Sequence, residues 1–366
     1  MFDFVNRLLE FIKFNSKCHK YIFYSEGSFY IEHYKEFIQR LSLKKELVFL
    51  TSDPKDSFFC KKKNIKHIFI GNSFFKFLYL STLNCNFFIT TLTDIGTNLL
   101  KSSRCKSYVY FFHSLASVHK IYKFNAFKHY DYIFCCGPYQ KKEIRLCEKK
   151  FNFKKKKLID IGYFYLDFLN KNINKNRKIR NTLLFAPSWN YKNENLFNNY
   201  GYEIISTLIK KRYKVIFRPH PEILKRDSLS FKKILSKFKK NKNFEIDLED
   251  TAKNSMERSE ILITDNSTIA IEFLFVLKRT TLYINFADKI HNEKFHEIKI
   301  EPFETQIKKK FGSEISIKQI KNINIQIQKV LKRKINNGLL DKFINKNVYN
   351  LKKSVHYACN FFEKKD

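Results

Sequence analysis

Apolar positions in this chain gather into short, nearly continuous runs, and longer stretches with helical spacing separate them. Tyr21–Tyr24, Leu47–Leu50, His67–Ile70, Phe87–Thr91, Tyr108–Phe112, Tyr132–Cys135 and Leu158–Ile161 read as strands. Several lack polar alternation, the pattern of parallel strands covered on both faces. The rhythm returns with Thr182–Phe185, Lys214–Phe217, Phe244–Ile246, Ile261–Thr264 and Thr281–Ile284. Strand alternating with helix predicts an α/β fold of two doubly wound, Rossmann-like domains. Residues 2–14 read as an amphipathic helix with Val5, Leu8, Leu9 and Ile12 on one face, suited to packing or to a membrane surface. From about Ile315 the pattern turns to amphipathic helices with Lys-rich faces.

Residues 166–181, LDFLNKNINKNRKIRN, are polar and low in complexity, the composition of a linker. The expected division is a first domain over 1–165, the linker over 166–181, a second domain over 182–330 and a helical tail over 331–366.

Charge changes the picture less than its size suggests. The chain of 366 residues carries a formal +35, which favours an anionic membrane surface or acidic substrates. Lys, Asn, Ile and Phe are used heavily throughout, and the runs Lys61–Lys63 and Lys154–Lys157 read as solvated loops. No nucleic-acid-binding motif accompanies the charge, so no nucleic acid partner is expected. The eight cysteines show no CxxC spacing and read as reduced, buried thiols. The N-terminal stretch has charges among its apolar residues, unlike a signal peptide, and no run is long enough to span a bilayer. A cytoplasmic protein, peripheral at the inner face of the membrane at most, is the expectation.

Candidate chemistry sits at strand ends. In YKVIFRPHP, Pro219 and Pro221 stop the strand and present Arg218 and His220 on stiffened backbone. The carboxyl end of a strand is where open α/β sheets bind ligands, and a fixed guanidinium suits phosphate. In SYVYFFHSLASVHKIY, His113 ends a strand, with Ser114 or Ser117 placed to cap the next helix; His119 and His129 have weaker claims. Gly27, after the first strand, could admit a ligand close to the backbone, and Asp94–Thr97 follows the fourth. No GxGxxG is present. In FAPSWN, Ser188 could donate to phosphate, while Trp189 could stack on a base or line a wall. In TDNSTIAIEF, Asp265, Asn266, Ser267 and Thr268 form a polar turn before a helix, whose start favours phosphate oxygens. Glu272 lies one turn further, within reach of ribose hydroxyls.

Taken in order, FAPSWN, RPHP and TDNSTIAIEF resemble the CDP-glycerol glycerophosphotransferase family of wall teichoic acid and capsule synthesis. The stretch from Phe111 to Ile144 is similar to the family's segment around its first catalytic histidine. The resemblance covers roughly residues 85–290 and implies a GT-B arrangement, two domains facing a central cleft. It implies His113 as general base, His220 at the transferred phosphate, Arg218, Ser267 and Thr268 on the pyrophosphate, and Glu272 near the ribose. The first domain would then serve the acceptor and the second a CDP-linked or other nucleotide-activated donor. A polyol-phosphate or glycan acceptor, lipid-linked or not, is implied, and no metal cofactor, cationic side chains standing in for Mg²⁺. The chain departs from the family at Phe112-His113-Ser114, where Trp-His-Gly is common, and at Asn266, where an aromatic is common. A GT-B nucleotide-sugar glycosyltransferase is the main alternative, and a basic nucleic-acid-binding protein the weaker one.

Overall fold

The structure is a computed structural model that describes residues 2–44, 46–93, 95–97, 99–177, 179–190, 195–225 and 229–365. Asp94, one of the strand-end candidates, lies outside them. The chain divides into two compact units. The first comprises residues 1–114, 122–168 and 348–366, and the second 115–121 and 169–347.

The first unit is built on seven parallel strands: β1 (His19–Ser25), β2 (Leu47–Thr51), β3 (His67–Phe69), β4 (Cys85–Thr90), β5 (Cys105–Phe111), β6 (Tyr132–Cys135) and β7 (Lys157–Asp160). Their order is β3-β2-β1-β4-β5-β6-β7, so the winding reverses between β1 and β4. The apolar runs become fully covered strands: all five residues of β2 and all four of β6 are buried. Aromatic rings fill the space beside the sheet, with Phe23 stacked on Phe49 at 5.4 Å and Tyr21 on Phe87 at 5.7 Å. Residues 348–366 join this core. The Tyr349 N–H donates to the Cys136 carbonyl at 2.8 Å, and Phe362 meets Tyr21 edge-on at 5.3 Å. Gly162 allows the approach: at φ +101° it passes so close that a Cβ would lie 2.3 Å from the Tyr349 carbonyl oxygen.

The N-terminal helix spans Phe2–Asn15, but its packed face differs from the one the spacing suggests. Phe11 and Phe14 are buried, Phe14 against His19 and Tyr79. Val5, Leu9 and Ile12 remain about half exposed (46%, 59% and 55%), because the aromatic residues win the inward positions. Gly27 is extended at φ 178°, and a Cβ there would meet only ordinary contact, so nothing at that turn requires glycine.

The second unit holds six parallel strands: β8 (Thr182–Phe185), β9 (Lys214–Phe217), β10 (Phe244–Ile246), β11 (Ile261–Thr264), β12 (Thr281–Asn285) and β13 (Ser313–Ser316). The order is β10-β9-β8-β11-β12-β13, with the reversal between β8 and β11. β13 is an edge strand that the apolar pattern does not reveal, since Ile315 is its one buried residue. Residues expected to link the domains are partly helical, the helix running Phe164–Asn172. Among the described residues no helix is long and apolar enough to cross a membrane. All eight cysteines are free, and all but Cys18 are buried.

Candidate active site

The second unit's reversal point brings two sequence motifs together. Ser188 follows β8, Asp265 follows β11, and these strands are neighbours. The Ser188 N–H and hydroxyl each donate to a different Asp265 oxygen at 2.7 Å, and both residues are almost fully buried. Ser188 and Asp265 are expected as donor ligands; the structure instead spends them on each other. A buried carboxylate needs such partners, and a serine hydroxyl with an adjacent N–H satisfies both its oxygens.

Around that brace stand cations. Arg218, at the end of β9, is held by a 2.8 Å bond from Nη1 to buried Asp247, which fixes the guanidinium and leaves its other N–H groups open. His220 stacks parallel to Trp189 at 6.2 Å, and its Nδ1 accepts from the Glu222 N–H at 3.2 Å. That acceptor role puts the ring proton on Nε2 when the imidazole is neutral. Trp189 itself is buried in the core of this unit. Beyond β12 lie Lys289 and His291. Burial first, then Lys289, Lys225, His291 and Arg218, press the His220 value down to about 3. Burial and Lys289 bring His291 to about 4. Burial also lowers the Lys289 ammonium, against the opposing pull of Asp265 and Glu304. Lys289 makes no ion pair among the described residues. Burial and mutual repulsion both disfavour charge on these groups, and an anion among them would offset the repulsion.

The helix Ile269–Leu277 starts at Thr268, and neither Ser267 nor Thr268 caps it with a side-chain hydrogen bond as the pattern suggests. Both are half-buried, and the first turn is closed by backbone bonds from the Ala270 N–H to the Ser267 carbonyl at 3.2 Å and from the Ile271 N–H to the Thr268 carbonyl at 2.9 Å. Asn266 donates to the Ala287 carbonyl at 3.2 Å and ties this turn to the loop that carries Lys289. Glu272 is buried within its helix.

His113 follows β5 in the first unit, half-buried. Its carbonyl accepts from the Tyr163 hydroxyl at 3.0 Å, and its ring lies 4.8 Å from Tyr30 and 6.5 Å from His33. Tyr163 Oη also lies 3.3 Å from His33 Nδ1, and His33 stacks on Tyr165 at 4.1 Å. With the Tyr163 proton given to His113, the His33 Nδ1–H is the donor to Tyr163. Burial and the His113 charge hold His33 down to about 3, so it stays neutral. Residues 115–121 belong to the second unit. Ser117 does not cap its own helix; its hydroxyl accepts from the Phe303 N–H at 2.6 Å. His119 packs on Phe295 and bonds the Ile300 carbonyl at 3.1 Å, a structural role. Among the described residues no group of three or more His, Cys, Asp or Glu could hold a metal ion.

Comparison with known proteins fits this arrangement. The sequence model of the family described as CDP-Glycerol:Poly(glycerophosphate) glycerophosphotransferase matches residues 113–291. The family segment opens on His113 and closes on His291, so it contains the candidate residues from His113 to Glu272. No curated protein sequence matches the chain. Among solved structures, the wall teichoic acid polymerase TagF is similar at 16% identity and a TM-score of 0.60, over 96% of this chain and 90% of that one. A UDP-N-acetylglucosamine 2-epimerase of Listeria monocytogenes, so described provisionally, gives 10% identity and 0.59 over 96% and 98%. A glycosyltransferase of Rickettsia africae gives 14% and 0.52 over 94% and 98%. The fold is the GT-B type these proteins share.

Proposed function

We propose that the protein transfers glycerol phosphate, or a related CDP-linked group, from its CDP-activated donor to a hydroxyl of a cell-surface polymer or lipid-linked acceptor. The observation that carries this reading is the family segment, which spans both the His113 strand end and the cationic reversal point of the second sheet. A TagF variant solved after a soak with CDPG is similar to this chain at a TM-score of 0.53 and 15% identity.

His113 takes the acceptor proton as the hydroxyl oxygen attacks the donor's distal phosphorus. The bond from that phosphorus to the bridging oxygen breaks, and CMP leaves. Arg218, Lys289 and the helix start at Ser267–Thr268 hold the phosphate oxygens, and His220 donates from Nε2 to charge developing on them. One well-aimed donor is worth about 3 kcal/mol in such sites. Fixed cations supply the charge neutralisation, so the reaction requires no metal ion. Ser188 and Asp265 act through position, as the floor on which the phosphates rest. The half-exposed Val5, Leu9 and Ile12, on a strongly basic chain, support peripheral attachment to an anionic inner membrane face.

Calorimetry with CDP, CMP, UDP and GDP tests the donor assignment on wild type and Arg218→Ala. Cytidine nucleotides bind and the variant loses them if the reading holds; absence of binding refutes it. The likeness to sugar-nucleotide enzymes at a TM-score of 0.59 supports a second reading, a nucleotide-sugar glycosyltransferase. Preference for UDP or GDP would favour it.

A further inference from the structure

In the run Lys154–Lys157 three lysines are exposed, as the composition suggests, and Lys156 is not. Lys156 is only 7% exposed, its ammonium donating to the Lys128 carbonyl and its N–H to Glu148, both at 2.7 Å. It floors a cavity of about 300 Å³ within the first unit, walled by Lys101, Lys128, Lys154, Lys155 and Lys157. Asp131 is the one carboxylate in the lining, and its Oδ2 already accepts from the Tyr108 N–H at 2.9 Å. The cavity opens where β6 and β7 begin, whereas His113 follows the end of β5, so the two lie at opposite ends of one parallel sheet.

A second basic hollow shows what ordinary lysine-rich surface looks like here. In the second unit, Lys308 pairs with Glu314 at 3.1 Å and Lys309 with Glu301 at 2.5 Å, while Arg333 donates to the Gly312 carbonyl. Its charges are answered from within. The six lysines of the first cavity form no ion pair among the described residues. Lys101 donates to the His129 carbonyl at 3.0 Å and lies 4.9 Å from the Tyr108 ring centre, and Lys157 lies 3.5 Å from the Tyr132 hydroxyl and 5.2 Å from its ring centre. Burial, then Lys101, Lys128 and Lys156, keep His129 below its ordinary value. Six lysines outnumber the two carboxylates that act on Lys156, Glu148 and Asp131, and a compact anion with several oxygens stabilises that excess of positive charge.

We propose that this cavity is a second phosphate site, which binds a phosphate ester independently of the donor site. The volume admits a phosphorylated polyol of a few carbons or a phospholipid headgroup, and it excludes a folded acidic peptide.

The test is calorimetric titration of glycerol 3-phosphate into protein saturated with CDP, beside flotation with phosphatidylglycerol and with phosphatidylcholine vesicles. The variants are Lys154→Gln/Lys155→Gln/Lys157→Gln and, as a control of equal chemistry, Lys308→Gln/Lys309→Gln. All five side chains lie outside the core, so both proteins fold. The cavity variant is expected to weaken binding about tenfold or more and the control to leave it unchanged. Binding of the soluble ester assigns a polyol phosphate; binding confined to phosphatidylglycerol vesicles assigns a headgroup. No binding of either probe, or equal weakening by both variants, overturns the proposal. Repeating the titration without CDP in Arg218→Ala separates this outcome from failure of the donor reading, because the cavity does not use Arg218.

Discussion

Ser188 and Asp265, 77 residues apart in sequence, meet across the reversal point of the second sheet and satisfy each other with two 2.7 Å hydrogen bonds. Removing the carboxylate leaves a buried hydroxyl and N–H without an acceptor. Removing the hydroxyl leaves Asp265 with the backbone donor. Asp265→Ala is therefore expected to cost about 2–3 kcal/mol of stability and to abolish nucleotide binding, while Ser188→Ala costs about 1 kcal/mol and weakens it. Denaturant melts and CDP titrations check the order; equal effects of the two substitutions would contradict the brace.

On the proposed reading, donor binding is expected to depend on pH through His220 and His291. Their ordinary value is 6.5, and in the folded protein they fall to about 3 and about 4. Between those values the unfolded chain binds protons that the folded chain does not, so stability rises with pH and is lost as pH falls below 6.5. A bound diphosphate reverses the local field set by Arg218, Lys225 and Lys289 and raises both histidines. CDP binding at about pH 5.5 is thus expected to take up protons, read from the heat in two buffers of different ionisation enthalpy. His220→Gln/His291→Gln should lose that uptake.

On the proposed mechanism, Tyr163 positions the base, His113. It donates to the His113 carbonyl and receives from His33, so Tyr163→Phe frees the His113 backbone without changing any group that touches substrate. The expected result is a loss of about ten- to a hundredfold in kcat with donor KM nearly unchanged. A fall in melting temperature with kcat preserved would leave Tyr163 a purely structural residue.

Gly162 holds the first unit closed on residues 348–366. At φ +101°, with the Tyr349 carbonyl 2.3 Å from a Cβ, Gly162→Ala meets both strain and collision. A loss of about 2–4 kcal/mol is expected, visible as a lowered melting temperature. A neutral substitution would mean the 349 turn moves freely.

Much of this was legible in the chain. Among the described residues, twelve strands stand where the apolar runs predict, although β3, β7 and β10 are only partly buried. β13 escaped because an edge strand needs little burial, and Ser313–Ser316 offers only Ile315. Strand-end motifs pointed to Arg218, His220 and the 265–268 turn, since prolines and hydroxyls mark such turns. Lys289 and His291 follow β12 by the same topological logic, yet one more lysine in a lysine-rich chain carries no local mark. Ser188 and Asp265 were visible as residues but not as a pair, because their bond depends on β8 lying beside β11.

The placement of residues 348–366 in the first unit orders events on the ribosome. Strands β1–β7 emerge early, but the Tyr349 and Phe362 contacts that complete their core are made only after the whole second unit has been synthesised. The half of the protein translated first is the half finished last, and until then its aromatic core is open to chaperones.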